Sequence, residues 1–129
     1  MNLGAILTAI REGEKFGGVN YTGPIVFLAG YDPYGAVFTP HVELLEGSWN
    51  LTVLLTGEEK AHLEAPFGVC YADPINTFNP KNIFEPARLQ KYTNMANFTE
   101  FEGKKNGPDI HPTKAGYGKL GQIMFAACG

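Results

Sequence analysis

Five consecutive apolar residues, Ile25-Val-Phe-Leu-Ala29, run between Pro24 and Gly30 with no polar interruption. A strand with one face in water alternates apolar and polar residues. A continuous run belongs to a strand covered on both faces, as in a parallel sheet flanked by helices. A second run, Phe67-Gly-Val-Cys-Tyr-Ala72, stops in the same way at Asp73-Pro74.

The segments around these runs have helical spacing. Leu3, Ile6, Leu7 and Ile10 recur at i, i+3, i+4 and i+7. That predicts a short amphipathic helix, and the absence of a preceding basic region argues against a signal peptide. Leu51, Leu54, Leu55 and Leu63 predict a helix between the strands, capped by Ser48 and closing before Pro66. Residues 76–106 are rich in Asn, Pro and Lys and read as a long loop with at most short helical turns. Gly107 to Thr113 is a further loop. A closing helix follows, with Thr113 as its N-cap and Tyr117, Leu120, Ile123, Met124 and Ala127 on one stripe.

The predicted order is helix, strand, helix, strand, long loop, helix. It makes residues 1–129 one α/β domain with a parallel sheet and right-handed crossovers. Ligands in such sheets bind beyond the carboxyl ends of the strands. Tyr31-Asp32, Asp73 and the loop carrying His111 mark that face.

Composition narrows the function classes. The formal net charge is −3, with 44% apolar and 18% charged residues. This is globular composition, without the clustered Lys and Arg of a nucleic-acid surface; Lys104-Lys105 reads as a solvated loop. No stretch approaches the roughly 18 uninterrupted apolar residues of a membrane span. The two cysteines, Cys70 and Cys128, form no CxxC motif or disulfide framework and read as a buried thiol and a tail thiol. Asn20, Asn50 and Asn97 head glycosylation sequons, which matter only in a eukaryotic secretory pathway.

The stretch Asp109-Ile-His-Pro-Thr-Lys-Ala-Gly-Tyr117 resembles the last block of the SGNH/GDSL-type ester hydrolases, an Asp and a His-Pro ahead of the closing helix. Ile25 to Gly35 looks like that family's fourth strand and following loop. Gly68 to Phe78 looks like its fifth strand, and Leu45 to Leu51 like the loop and helix start between them. The resemblance covers nearly the whole chain, and the His-Pro-Thr block is its distinctive part. It implies the C-terminal half of a flavodoxin-like, three-layer α/β sandwich. It further implies Ser–His acyl transfer on a carboxylic ester, with His111 as general base and no cofactor or metal.

The family's Gly-Asp-Ser nucleophile block, its oxyanion Gly and its Gly-x-Asn-Asp block have no counterpart in these residues. Ser48 is the only serine. Its Gly-Ser-Trp context is not a nucleophile elbow, so it reads as a helix cap with catalysis as the alternative. Cys70 lies within a strand and is a poor catalytic thiolate. The commonest family spacing, Asp-x-x-His, meets Pro108 here, so Asp109 is the candidate acid partner, with capping of its own loop as an equal alternative and Asp73 as a second candidate. His41 and His62 have no metal-ligand spacing with His111 and read as surface residues.

Three readings follow: one half of a split or truncated esterase, a small esterase using Ser48 or a threonine, and a non-catalytic SGNH-derived domain that binds a partner or ligand. The partner expected for the first is a complementing N-terminal half. Half a sheet leaves a strand edge open, which implies a homo-oligomer or that missing half.

Overall fold

A computed structural model of the chain describes residues 2–32, 42–79, 91–94, 98–101 and 104–129. His41, Asn97 and the Pro33-Tyr34-Gly35 stretch lie outside the described residues.

Helix α1 spans Leu3–Arg11, as its spacing predicts, and Asn2 caps it by accepting the Gly4 N–H. A single 3-10 turn, Gly13–Phe16, follows. The Arg11 guanidinium then ties three chain segments together. It donates to the carbonyls of Tyr21 (3.0 Å), Gly23 (2.6 Å), Phe67 (2.9 Å) and Gly68 (3.1 Å). A planar fork with five donors can do this; an ammonium cannot.

The two apolar runs are neighbours. Strand β1, Ile25–Leu28, pairs in parallel with β2, Val69–Ala72, with Ile25 opposite Val69 and Leu28 opposite Ala72. Because side chains alternate across a strand, Ile25, Phe27, Val69 and Tyr71 share one face. There they pack with Leu7 of α1 and with Leu63 of α2, Val42–Phe67. Cys70 points to the other face. That face is covered by the closing helix α4, Lys114–Ala127, which contacts both strands. The chain is thus mixed α/β, with a small parallel sheet between helices.

Several expectations are corrected. Helix α2 starts at Val42, not Ser48, and runs 26 residues. Ser48 is therefore inside the helix, not its cap: Gly47-Ser48 looks like a break in sequence, but helix already surrounds it. The helix also runs through Pro66 and ends one residue later at Phe67. Proline there interrupts only a terminal turn. Gly68, at φ +59° in the left-handed region, closes that turn by donating to the Glu64 carbonyl (2.9 Å).

Among its described residues the 76–106 stretch has the short helical turn expected and, in addition, strands that are not expected. It begins with α3, Ile75–Phe78. Farther on, β3 (Phe98–Phe101) and β4 (Lys104–Pro108) form an antiparallel pair in a separate sheet. Gly107 and Pro108 therefore belong to a strand and not to the loop ahead of His111.

The cysteines are not free thiols. Cys70 and Cys128 form a disulfide, with Cα atoms 5.2 Å apart. The end of α4 returns to the sheet face where Cys70 points. Fifty-eight residues separate the two in sequence, and nothing in that spacing announces the pairing.

Candidate functional site

The loop from Asp109 to Thr113 lies beyond the carboxyl ends of β1 and β2. One oxygen of Asp109 engages His111 twice. Oδ1 accepts the His111 backbone N–H at 2.9 Å and lies 2.5 Å from Nδ1 of the ring. Both sequence alternatives for Asp109 are thus realised together: it caps its own loop and partners the imidazole.

The electrostatics fix the roles. The backbone amide of His111, then its ring, hold the Asp109 carboxyl below its usual range, and the Asn94 side chain adds to this. An ionised carboxylate only accepts hydrogen bonds. Nδ1 must therefore carry the proton, which leaves Nε2 as the basic nitrogen. The His111 side chain is 74% exposed.

Residues 91–94 hold the loop from one side. The Asn94 N–H donates to the His111 carbonyl, and the Thr113 N–H donates to the Tyr92 carbonyl, each at 2.9 Å. Thr93 bridges to Pro112, and the Thr113 hydroxyl donates to the Lys91 carbonyl. Thr113 also caps α4, as predicted, by accepting the Gly116 N–H at 3.1 Å. Gly116 has to be glycine: a Cβ there would lie 1.9 Å from the Tyr92 carbonyl oxygen.

Tyr31 holds the loop from the other side. Its hydroxyl donates to the Ile110 carbonyl at 2.5 Å. Burial, followed by the neighbouring Tyr117 and Asp109, pushes the Tyr31 phenol above its usual range, which keeps it a donor. Its ring stacks on Phe78 with centroids 4.6 Å apart, and Phe78 meets Tyr92 at 5.3 Å. Phe78 is fully buried.

Ser48 belongs to a neighbouring cluster. Its hydroxyl donates to Asp32 Oδ1 at 2.8 Å. Asp32 is buried, and its backbone is bonded reciprocally by the Asn79 side chain, with both contacts at 2.7 Å. The Trp49 indole donates to the Asn79 carbonyl. Among the described residues Ser48 and His111 share no hydrogen bond. Asp73 is not the acid partner either: its Oδ1 accepts the Ile75 N–H at the start of α3. His62 is exposed on α2. It lines a groove of about 540 Å³ between α1 and α2, with Phe67 at the approach to β2, the other end of the sheet from Tyr31.

Sequence reasoning named Asp109, His111 and Thr113. It gives Phe78 only as the end of the fifth-strand stretch, offers nothing on Asn79, Tyr92 and Asn94, and places Tyr31 on the functional face without a role. A weak signal exists for Asp32, a polar residue just past β1, whereas Asn79 follows α3. None exists for residues 91–94, whose work is done largely by backbone groups. No family model, curated protein or solved structure matches this chain. Among the described residues no group of His, Cys, Asp and Glu is arranged to hold a metal, and no helix is long and apolar enough to cross a membrane.

Proposed function

We propose that this chain carries the base side of an SGNH/GDSL-type ester hydrolase site, within a partial flavodoxin-like sandwich. His111 is the general base and Asp109 orients it. The observation that carries this reading is the single Asp109 oxygen on both the amide and Nδ1 of His111, on a side chain that is largely exposed.

The chemistry follows from that arrangement. A proton leaves an attacking hydroxyl for Nε2 as the oxygen adds to an ester carbonyl. The imidazolium then returns a proton to the departing alkoxide. Asp109 stabilises the imidazolium and stays ionised throughout. The attacking hydroxyl is not that of Ser48, which is engaged by Asp32. The serine and the oxyanion donors come from a segment outside these 129 residues, on the same polypeptide or on a second one.

The sheet supports a complementing segment. Among the described residues β1 pairs only with β2. Ala29 directs its N–H to Ala72 of that partner, so Val26 and Leu28, out of phase with it, turn their backbone groups to the other side. All four β1 side chains are apolar yet only half-buried. Leu44, Leu51, Leu54 and Leu55 of α2 are each more than half exposed. An unpaired strand edge and an exposed apolar helix face each recruit further structure: the complementing half where it is present, a second copy where it is not. Sedimentation of the isolated chain should show a dimer or larger species; a monodisperse monomer counts against this part.

A fluorophosphonate probe tests where the nucleophile lies. Intact-mass measurement should find no adduct on the isolated chain. A stoichiometric adduct at Ser48 that disappears in His111→Ala would place the nucleophile within these residues and overturn the split-site reading.

A further inference from the structure

The Asp109–His111 pair depends on one peptide unit, the Ile110 carbonyl with the His111 N–H. That unit is held at both ends. Its N–H donates to Asp109 Oδ1, and its carbonyl accepts from Tyr31, which lies 79 residues away in sequence. A peptide unit is planar, so fixing its oxygen also fixes the direction of its N–H. If the plane turned, the amide would leave Oδ1. The ring contact, which uses the same oxygen, would lose its geometry with it.

Tyr31 is itself immobilised. Its ring stacks on the fully buried Phe78. The next residue, Asp32, is bonded through both its backbone N–H and its carbonyl to Asn79. Phe78 and Asn79 are adjacent, so ring and backbone are anchored to the same short stretch at the end of α3. Phe78 also touches Tyr92, whose carbonyl holds Thr113 on the far side of the loop. Both sides of the His111 loop are therefore rooted on one aromatic side chain.

We propose that Tyr31 is a positioning residue for the Asp109–His111 pair. Its hydroxyl sets the Ile110–His111 peptide plane, keeps Nδ1 on Asp109, and so leaves Nε2 as the base. This role rests on the reading of the pair as a general base, but its test does not use turnover.

The test is nitrogen NMR of histidine-labelled chain, with the His111 signals assigned by their loss in His111→Ala. The wild type should show one tautomer, protonated at Nδ1, with a downfield Nδ1–H proton from the contact with Asp109. Tyr31→Phe keeps the ring and its stack and removes only the hydroxyl. It should lose the downfield proton and show averaged tautomers, as Asp109→Asn should, while its melting temperature stays close to wild type. A Tyr31→Phe spectrum identical to wild type overturns the proposal. Should that variant fail to fold, 3-fluorotyrosine at position 31 decides. It is a near-isosteric, stronger donor and should shift the His111 Nδ1–H proton; an unmoved resonance overturns the role. The two failures separate cleanly. A p-nitrophenyl acetate rate unchanged by His111→Ala, with an intact Tyr31 effect, defeats the functional reading alone, and a His111-dependent rate with an unmoved His111 spectrum defeats the role of Tyr31 alone.

Discussion

Asp109 holds His111 with one oxygen in two ways, at the backbone amide (2.9 Å) and at Nδ1 (2.5 Å). The two contacts reinforce each other. The amide contact orients the carboxylate by a local turn, and the oriented carboxylate then selects the tautomer of the ring. A spacing of two residues, shorter than the commonest family spacing, is compatible with an acid–base pair for this reason.

The carboxyl of Asp109 should titrate below that of the unfolded chain. A group whose folded value is depressed contributes stability above its unfolded value and loses it as pH falls through the folded value. The contact with His111 should thus survive through the ordinary aspartate range and fail only below it. Because the backbone amide is the largest cause and the ring the next, His111→Ala should keep part of the depression, and His111→Pro, which removes amide and ring together, should keep less. Carboxyl carbon NMR across pH, with urea-unfolded chain as reference, checks both.

Reducing the Cys70–Cys128 disulfide should lower stability by about 2–4 kcal/mol, the typical range for a disulfide. Denaturation with and without reductant measures it. Cys128→Ser should match the reduced wild type, because the bridge and not packing by the exposed Cys128 is what is lost.

Gly116→Ala should be among the most damaging small substitutions. The added methyl would meet the Tyr92 carbonyl, which also receives the Thr113 N–H. Displacing it costs about 1–3 kcal/mol by overpacking and loosens the loop that carries His111. Thermal unfolding reads the first effect, and loss of the His111 Nδ1–H proton reads the second.

Ser48→Ala should behave as a structural change. The hydroxyl donates to the buried Asp32, so its loss should cost about 1–2 kcal/mol. The rate of ester hydrolysis by the isolated chain should stay at the wild-type value. Parallel melts and p-nitrophenyl acetate assays on the two proteins check the pair of outcomes.

Arg11→Lys should fail to replace Arg11, losing about 2–3 kcal/mol. A lysine keeps the charge but not the planar fork that reaches four carbonyls in two segments. Equilibrium unfolding of wild type, Arg11→Lys and Arg11→Ala should place the lysine variant nearer to alanine.

Hydrophobic pattern made the sheet legible. The run Ile25–Ala29 predicts β1, Phe67–Ala72 predicts β2, and the spacing from Leu3 to Ile10 predicts α1. The Thr113 cap was legible because a hydroxyl residue stood ahead of a periodic stripe. What escaped depends on distant parts of the chain. Ser48 reads as a cap because a Gly-Ser pair looks like a boundary, and only tertiary structure shows Asp32 receiving its hydroxyl. Cys70 and Cys128 meet because α4 folds back over the sheet. Tyr31 gains its role by reaching a carbonyl 79 residues on. Periodicity reports which face of an element is buried; it carries no information on which distant group a polar side chain will find.

The most direct test of the functional account is p-nitrophenyl acetate hydrolysis by the purified chain, compared with His111→Ala. An exposed, oriented imidazole accelerates cleavage of an activated ester by itself, short of the roughly 10²–10⁴-fold available inside a complete site. The base role of His111 predicts measurable turnover that falls at least about tenfold in His111→Ala. Turnover at the wild-type rate in His111→Ala would contradict it and remove His111 from the chemistry.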